Sequence, residues 1–206
     1  ALTLACALTA GQLVAQPISF DDEIGDVINS GNGTLDIVKM EVSDTVDDVI
    51  FKLTVNGNIG TTDWGKFMIG IANQKTAGTQ TSNGWGRPIY MDAGGGNGMT
   101  HWIGSWVDGG GGSQYFTYDG AAWGASASSP VFSLAPGTQS IITYTVTKDS
   151  LGVVTGDTIL FDAYSSGGGG GDSSIDALSN PEIAITDWPG PYTSVLPAIS
   201  SYTLSN

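Results

Sequence analysis

Aspartate is the residue type in this sequence that is best placed to do chemistry, since there are 17 Asp but only three Glu, six Lys or Arg and one His. One acidic group is the turn D-D-E-I-G-D over 21–26, and a second follows five consecutive glycines at 167–171. Ca²⁺ takes about six to eight oxygen ligands from carboxylates and carbonyls. The pattern predicts two candidate calcium sites, without EF-hand spacing, and solvated acidic turns are the alternative. Their ligands would be Asp21, Asp22, Asp26 and Asp36 in the first site, and Asp172 and Asp176 in the second.

Tryptophan is the second residue type with a candidate role, because several of the six tryptophans stand beside Gly or Asp. An indole in a glycine-rich loop offers a flat face on which a sugar ring can stack, while nearby carboxylates bond its hydroxyls. The candidate sugar-binding residues are Trp64, Trp85 and Trp188; burial in the core or in a subunit contact is the alternative for such aromatic side chains. Trp102 and Trp106 share one face of a strand, and we expect both in the core.

Catalysis finds little support in the sequence. His101 is the only histidine, Cys6 is the only cysteine, and no Gly-x-Ser-x-Gly elbow occurs. Paired carboxylates for glycoside hydrolysis are the remaining enzymatic alternative, because Asp is abundant. The sequence therefore predicts a protein that is not an enzyme.

The net charge of −14 argues against nucleic acid as a partner, because no basic patch exists to neutralise phosphates. It also disfavours adsorption to anionic membranes. No apolar run reaches the roughly 18 residues of a membrane span, so we expect none in the mature chain. The single cysteine rules out a disulfide within the chain.

The segment 1–15 is apolar, and up to residue 11 it alternates bulky and small residues with the period of a strand. Such a strand can leave its own domain and complete the sheet of a neighbouring copy. The predicted subunit-contact residues are Leu2, Leu4, Cys6 and Leu8. Two alternatives stay open: the segment is the tail of a secretory signal peptide, or it pairs within its own sheet.

The remaining chain, 16–206, is predicted to be a single domain built from about ten short strands and no convincing helix. Gly-, Asn- and Ser-rich turns separate these strands, and charged residues make up only 13% of the chain. The clearest elements are the hairpin of 35–43 with 49–56 and the strand 140–148. These features predict an all-β fold, an antiparallel β-sandwich of jelly-roll type with an N-terminal extension strand.

One stretch, 21–72, resembles the start of DOMON-like β-sandwiches, which include the family 9 carbohydrate-binding modules. The resemblance lies in the turn with Asp22, Gly25 and Asp26, in L-D-I-V-K-M-E-V-S-D with its Asp36, and in the following V-I-F-K-L-T-V. It implies a sandwich fold, frequent calcium and sugar binding. No aromatic pair of the sugar-binding family aligns with this chain.

Two functions follow as hypotheses. The first is a secreted bacterial structural protein, extracellular or on the cell surface, whose copies assemble into a filament or surface fibre through the donated N-terminal strand. A head-to-tail contact of this kind does not close and therefore propagates. The alternative is a calcium-stabilised carbohydrate-binding module with a polysaccharide as its partner.

Overall fold

A computed structural model describes residues 13–27, 33–61, 64–127, 129–180, 188 and 190–206. About 47% of the described residues are in strands and 7% are in helices, and antiparallel sheets pack together. The predicted all-β, sandwich-like fold is therefore confirmed.

The described residues form 14 strands and one short α-helix. The first seven strands are β1 (Ile18–Asp21), β2 (Ile37–Asp44), β3 (Asp48–Val55), β4 (Lys66–Ala72), β5 (Ile89–Asp92), β6 (His101–Trp106) and β7 (Gly112–Tyr118). The remaining elements are β8 (Trp123–Ala125), β9 (Val131–Ala135), β10 (Ser140–Thr147), α1 (Lys148–Leu151), β11 (Thr158–Ser166), β12 (Asp176–Ala177), β13 (Tyr192–Val195) and β14 (Ser200–Thr203). Three 3-10 turns occupy Gly33–Leu35, Ile59–Thr61 and Asp108–Gly110.

The first sheet has five strands in the order β1-β2-β3-β10-β9. The predicted hairpin is its centre: β2 pairs antiparallel with β3, so that Met40 faces Leu53 and Val42 faces Phe51. These four side chains are buried. Each removes apolar surface from water, and full burial of such a side chain contributes about 1.5–3 kcal/mol.

The second sheet has seven strands in the order β12-β11-β4-β6-β7-β8, with β14 also paired to β11. Its inner face meets the first sheet, and one core cluster draws side chains from both sheets, including Phe51 and Phe161 with ring centroids 5.7 Å apart. Tyr144 of the first sheet also shares a hydrogen bond of 2.6 Å with Ser105 of the second.

The outer face of the seven-stranded sheet is only partly covered. Residues 73–99 and the C-terminal segment with β13 pack over one part of it and form a second cluster around Met68, Met91, Trp102 and Tyr164. Within this cover β5 and β13 pair in parallel, which the sequence did not indicate. The described residues leave the rest of the outer face, at the start of β4 and the end of β6, open.

Two local expectations need correction. The alternation of Val38, Met40 and Val42 along the sequence predicts that Val38 shares their face of β2. A bulge between Ile37 and Lys39 instead brings Ile37 into the core and leaves Val38 half-buried. Trp102 is fully buried, whereas Trp106, which we also expected in the core, is half-buried on the open part of the sheet.

The predicted subunit-contact residues Leu2, Leu4, Cys6 and Leu8 lie outside the described residues. Further along the segment, Leu13 is 80% exposed, and the Ala15 N–H donates to the Asp44 carbonyl at 2.8 Å. None of the helices in the described part of the chain is long and apolar enough to cross a membrane.

Candidate metal site and ligand groove

Three aspartates from two distant parts of the sequence meet in the sandwich. Asp22 directly follows β1, Asp26 lies in the next turn, and Asp176 begins β12. One carboxylate oxygen from each lies within 4.8 Å of the others. Since calcium–oxygen distances are about 2.3–2.6 Å, two ligands of one ion are at most about 5 Å apart. The three side chains, here called the aspartate cluster, are therefore close enough to share one ion.

Asp36 fixes the acidic turn beside this cluster. Its Oδ2 accepts hydrogen bonds from the Gly25 N–H at 3.0 Å and from Asn56 Nδ2 at 2.9 Å. Its Oδ1 is buried and has no hydrogen-bond partner among the described residues. Asp36 thus holds the turn in place with one oxygen and adds a further negative charge with the other.

The cluster contains carboxylate oxygens that the protein leaves unsatisfied. Both oxygens of Asp22 and both of Asp26 are buried, and none accepts a hydrogen bond of normal geometry from a described residue. Asp26 is only 8% exposed. A buried carboxylate without a partner is strongly unfavourable, so such a group must gain a proton or a cation.

No basic side chain supplies that cation. All six Lys and Arg residues of the chain are described, and each of the five lysines pairs with a carboxylate outside the cluster. The sixth, Arg87, forms no ion pair with a described residue. The pairs are Lys39 and Lys52 with Glu41, Lys66 with Asp108, Lys75 with Asp157, and Lys148 with Asp44.

Burial and mutual repulsion therefore raise the pKa values of the cluster. Burial, reinforced by the charge of Asp26, raises the pKa of Asp22 to about 8. Burial and the charge of Asp22 raise the pKa of Asp176 to about 9, and burial with the charge of Asp36 raises that of Asp26 to about 6. An all-oxygen donor set that becomes strongly anionic when it loses its protons fits a hard cation such as Ca²⁺.

The two other predicted calcium ligands lie apart from this cluster. Asp21 is exposed at the end of β1 and accepts a hydrogen bond from the Ser19 hydroxyl at 2.7 Å. Asp172 accepts the Gly169 N–H at 2.8 Å and so closes its own glycine-rich loop. The structure groups the aspartates differently from the sequence analysis, because Asp176 joins the first acidic turn and separates from Asp172.

The open part of the seven-stranded sheet carries a groove with a volume of about 390 Å³. Its floor follows the strand register: Lys66 of β4 lies opposite Trp106 of β6, Trp106 lies opposite Gly112 of β7, and Gly104 lies opposite Gln114 in the next row. The residues that line it are Lys66, Trp85, Arg87, Trp106, Asp108, Gln114 and Gly170.

Two indoles shape this groove because two glycines make room for them. A Cβ atom at Gly104 would lie 2.3 Å from the Trp85 ring, and one at Gly112 would lie 2.4 Å from the Trp106 ring. Trp85 is further oriented by its Nε1–H, which donates to Gln114 Oε1 at 2.8 Å. Both tryptophans are half-buried, so part of each ring stays accessible to a ligand.

The other two predicted sugar-binding tryptophans do not line the groove. Trp64 and Trp188 contact each other, with ring centroids 6.2 Å apart, and both pack against the core between the sheets. Trp106, which does line the groove, was missed because its alternation with Trp102 indicated a core position. Gly112 lies opposite it and leaves space for the ring, but that pairing depends on strand register, which sequence spacing does not define.

His101 lies away from both sites. It is 6% exposed, shares a 2.8 Å hydrogen bond with the Thr100 hydroxyl, and stacks on Tyr115 with ring centroids 5.8 Å apart. Burial lowers its pKa to about 4. These contacts give the histidine a packing role.

No protein-family model, no curated protein sequence and no solved structure matches this chain.

Proposed function

We propose that this protein is a non-catalytic, calcium-stabilised carbohydrate-binding module. One observation carries the proposal: Trp85 and Trp106 lie over Gly104 and Gly112 in a groove on the open part of a sheet. Aromatic rings on a rigid sheet offer apolar area at low entropic cost, which suits the apolar face of a sugar ring.

The polar residues of the groove support a sugar ligand rather than a purely apolar one. Gln114 is exposed beside the Trp85 ring, and the ion pair of Lys66 with Asp108 lies at the groove's edge. Between them these side chains supply both donors and acceptors, which sugar hydroxyls require. Small-ligand sites typically combine an apolar or aromatic lining with a small number of fixed polar groups, as this groove does.

Calcium would be held by Asp22, Asp26 and Asp176, with Asp36 beside them. It would neutralise the carboxylates that no basic residue reaches. It would also tie the turn after β1, in the five-stranded sheet, to β12, in the seven-stranded sheet. The role of the ion would be structural. Such a role agrees with secretion, because calcium sites of extracellular modules have Kd values of about 10⁻⁴–10⁻³ M.

Assembly into a filament through the N-terminal strand stays a prediction. Its four contact residues lie outside the described part of the chain, and no described contact favours it over glycan binding. The groove residues, by contrast, are all described, and we therefore give glycan binding first place.

Affinity electrophoresis through gels that contain single polysaccharides tests the proposal. For the polysaccharide that retains the native protein, we expect Trp85→Ala and Trp106→Ala each to lower the affinity about 30-fold or more. Truncation of a central aromatic contact has an effect of this size. Trp123→Ala is the matched control: it removes a half-buried tryptophan of the same sheet outside the groove. Retention that both groove variants keep would refute the proposal, as would equal loss in the control.

A further inference from the structure

Arg87 is the one basic residue of the chain without an acidic partner in the described structure. The five lysines all form ion pairs. Arg87 forms none with a described residue, although the chain has 20 acidic residues. Arg87 is also buried, with 5% of its surface exposed, and it lines the groove. A buried charge normally has a counter-charge, because desolvation is otherwise uncompensated.

The contacts of its guanidinium leave most of its donors free. Nη1 donates to the Ser166 hydroxyl at 2.8 Å and to the Asp172 carbonyl at 3.1 Å, and these are its only hydrogen bonds to described residues. Both acceptors are neutral. The guanidinium carbon lies 5.5 Å from the centroid of the Trp85 ring. Since arginine has five N–H donors in a planar fork, its other edge can bind a ligand.

Asp172 does not serve as the missing counter-charge. Its carboxylate lies beyond ion-pair distance of Arg87 and instead accepts the Gly169 N–H at 2.8 Å. Its charge acts on the guanidinium only through space. The acceptor that Arg87 lacks must therefore come from outside the described chain.

We propose that the ligand in this groove is an acidic glycan, and that Arg87 binds a carboxylate of its uronic acid residues. The inference rests on the proposed glycan-binding function and names its substrate class. A guanidinium binds a carboxylate through two parallel hydrogen bonds, which fixes orientation as well as charge. Because Arg87 is buried, this attraction is screened less than surface charge and persists despite the chain's net charge of −14.

Lys66 provides an internal comparison. It is the other cation of the groove, but its ammonium already pairs with Asp108. Its charge is therefore neutralised, and a ligand carboxylate gains little from it. Substitution of Arg87 tests an unpaired cation of the groove, and substitution of the Lys66–Asp108 pair tests a cation whose charge is already neutralised.

The test is titration calorimetry with galacturonic acid oligomers and with the same oligomers after reduction of their carboxylates to alcohols. Calcium is kept saturating and constant, because uronates bind it. We expect the native protein to bind the acidic oligomer about 10- to 100-fold more tightly than the reduced one, as a charged hydrogen-bonded pair implies. Arg87→Gln should remove this preference. The double variant Lys66→Gln/Asp108→Asn, which removes the compensated pair as a whole, should change both affinities alike and keep the preference.

Each other result is decisive. Equal affinity for both oligomers, or an equal loss of both in Arg87→Gln, would overturn the inference and leave glycan binding intact. Binding of neither oligomer, nor of any neutral glycan, would instead refute the proposed function. A preference for sulfated over carboxylated oligosaccharides would reject the carboxylate assignment. If Arg87→Gln does not fold, Arg87→Lys keeps the charge without the fork and should lose most of the preference.

Discussion

Calcium binding by the aspartate cluster should release protons. In the calcium-free protein, burial and mutual repulsion raise the pKa values of Asp22 and Asp176 to about 8 and about 9. A calcium ligand must be ionised, so the ion has to displace the protons that these groups hold. The number released at a given pH is therefore a direct measure of how strongly the fold perturbs the cluster.

The expected number follows from the pKa values. At pH 7, Asp22 holds about nine-tenths of a proton, Asp176 holds close to one, and Asp26, with a pKa of about 6, holds about one-tenth. Calcium should thus release about two protons at pH 7. At pH 9.5 the same groups are almost fully ionised, and release should fall to about 0.3.

The same shifts set the pH dependence of stability. Each carboxyl has a higher pKa in the folded chain than its usual value near 4, so the calcium-free folded state binds more protons than the unfolded state between about pH 4 and 9. Its free energy of unfolding should therefore fall as pH rises through this window. Calcium removes the repulsion, so the stabilisation that it gives should grow with pH.

Titration calorimetry in several buffers measures the number of protons released. That number is the slope of the observed binding enthalpy plotted against the ionisation enthalpy of the buffer. Asp176→Asn should abolish both binding and release. Asp21→Asn is the matched control, because Asp21 precedes Asp22 in the sequence but is exposed and does not belong to the cluster. Calcium binding with no proton release at pH 7 would refute the reasoning about burial, and absence of binding would refute the site.

Three further predictions follow. Chelation of calcium should weaken glycan retention, measured by affinity electrophoresis, because segment 166–176 contacts Arg87 at its start and carries Asp176 at its end; unchanged retention would show that the sites are independent. Chains that begin at Gln16 should fail to form filaments in electron micrographs under conditions where intact chains do; normal filaments would exclude strand donation. Lys148→Met should cost about 3 kcal/mol in urea unfolding, because it leaves the fully buried Asp44 without its cation; a loss below about 1 kcal/mol would contradict this.

Alternation predicted the strands well wherever one face meets the core and the other meets water. In β3, alternation predicts one face made of Val49, Phe51, Leu53 and Val55, and all four are buried. In β4, alternation separates Met68 from the core face with Phe67, Ile69 and Ile71, but Met68 is fully buried as well. Residues 73–99 cover that face, and a long polar loop gives no sign in the sequence that it will form a second layer.

The sites were less predictable than the strands, because each combines residues that are distant in sequence. The turn with Asp22 and Asp26 was recognisable from its composition, but its third member, Asp176, joins it through the pairing of β12 with β11. The groove depends on strand register, which places Gly104 and Gly112 under the two indoles. Sequence spacing does not define register between strands, so neither grouping was accessible from it.

The ion pairs among the described residues include neither the aspartate cluster nor Arg87. The aspartate cluster and Arg87 are of opposite sign and contact the same segment, 166–176, yet they form no ion pair with each other. Stability alone would favour bringing them together, because a buried charge gains from a nearby counter-charge. Keeping them apart leaves an acidic site and a cationic site, neither of which has a counter-charge among the described residues. These are the two places where we propose that a cation and an acidic ligand bind.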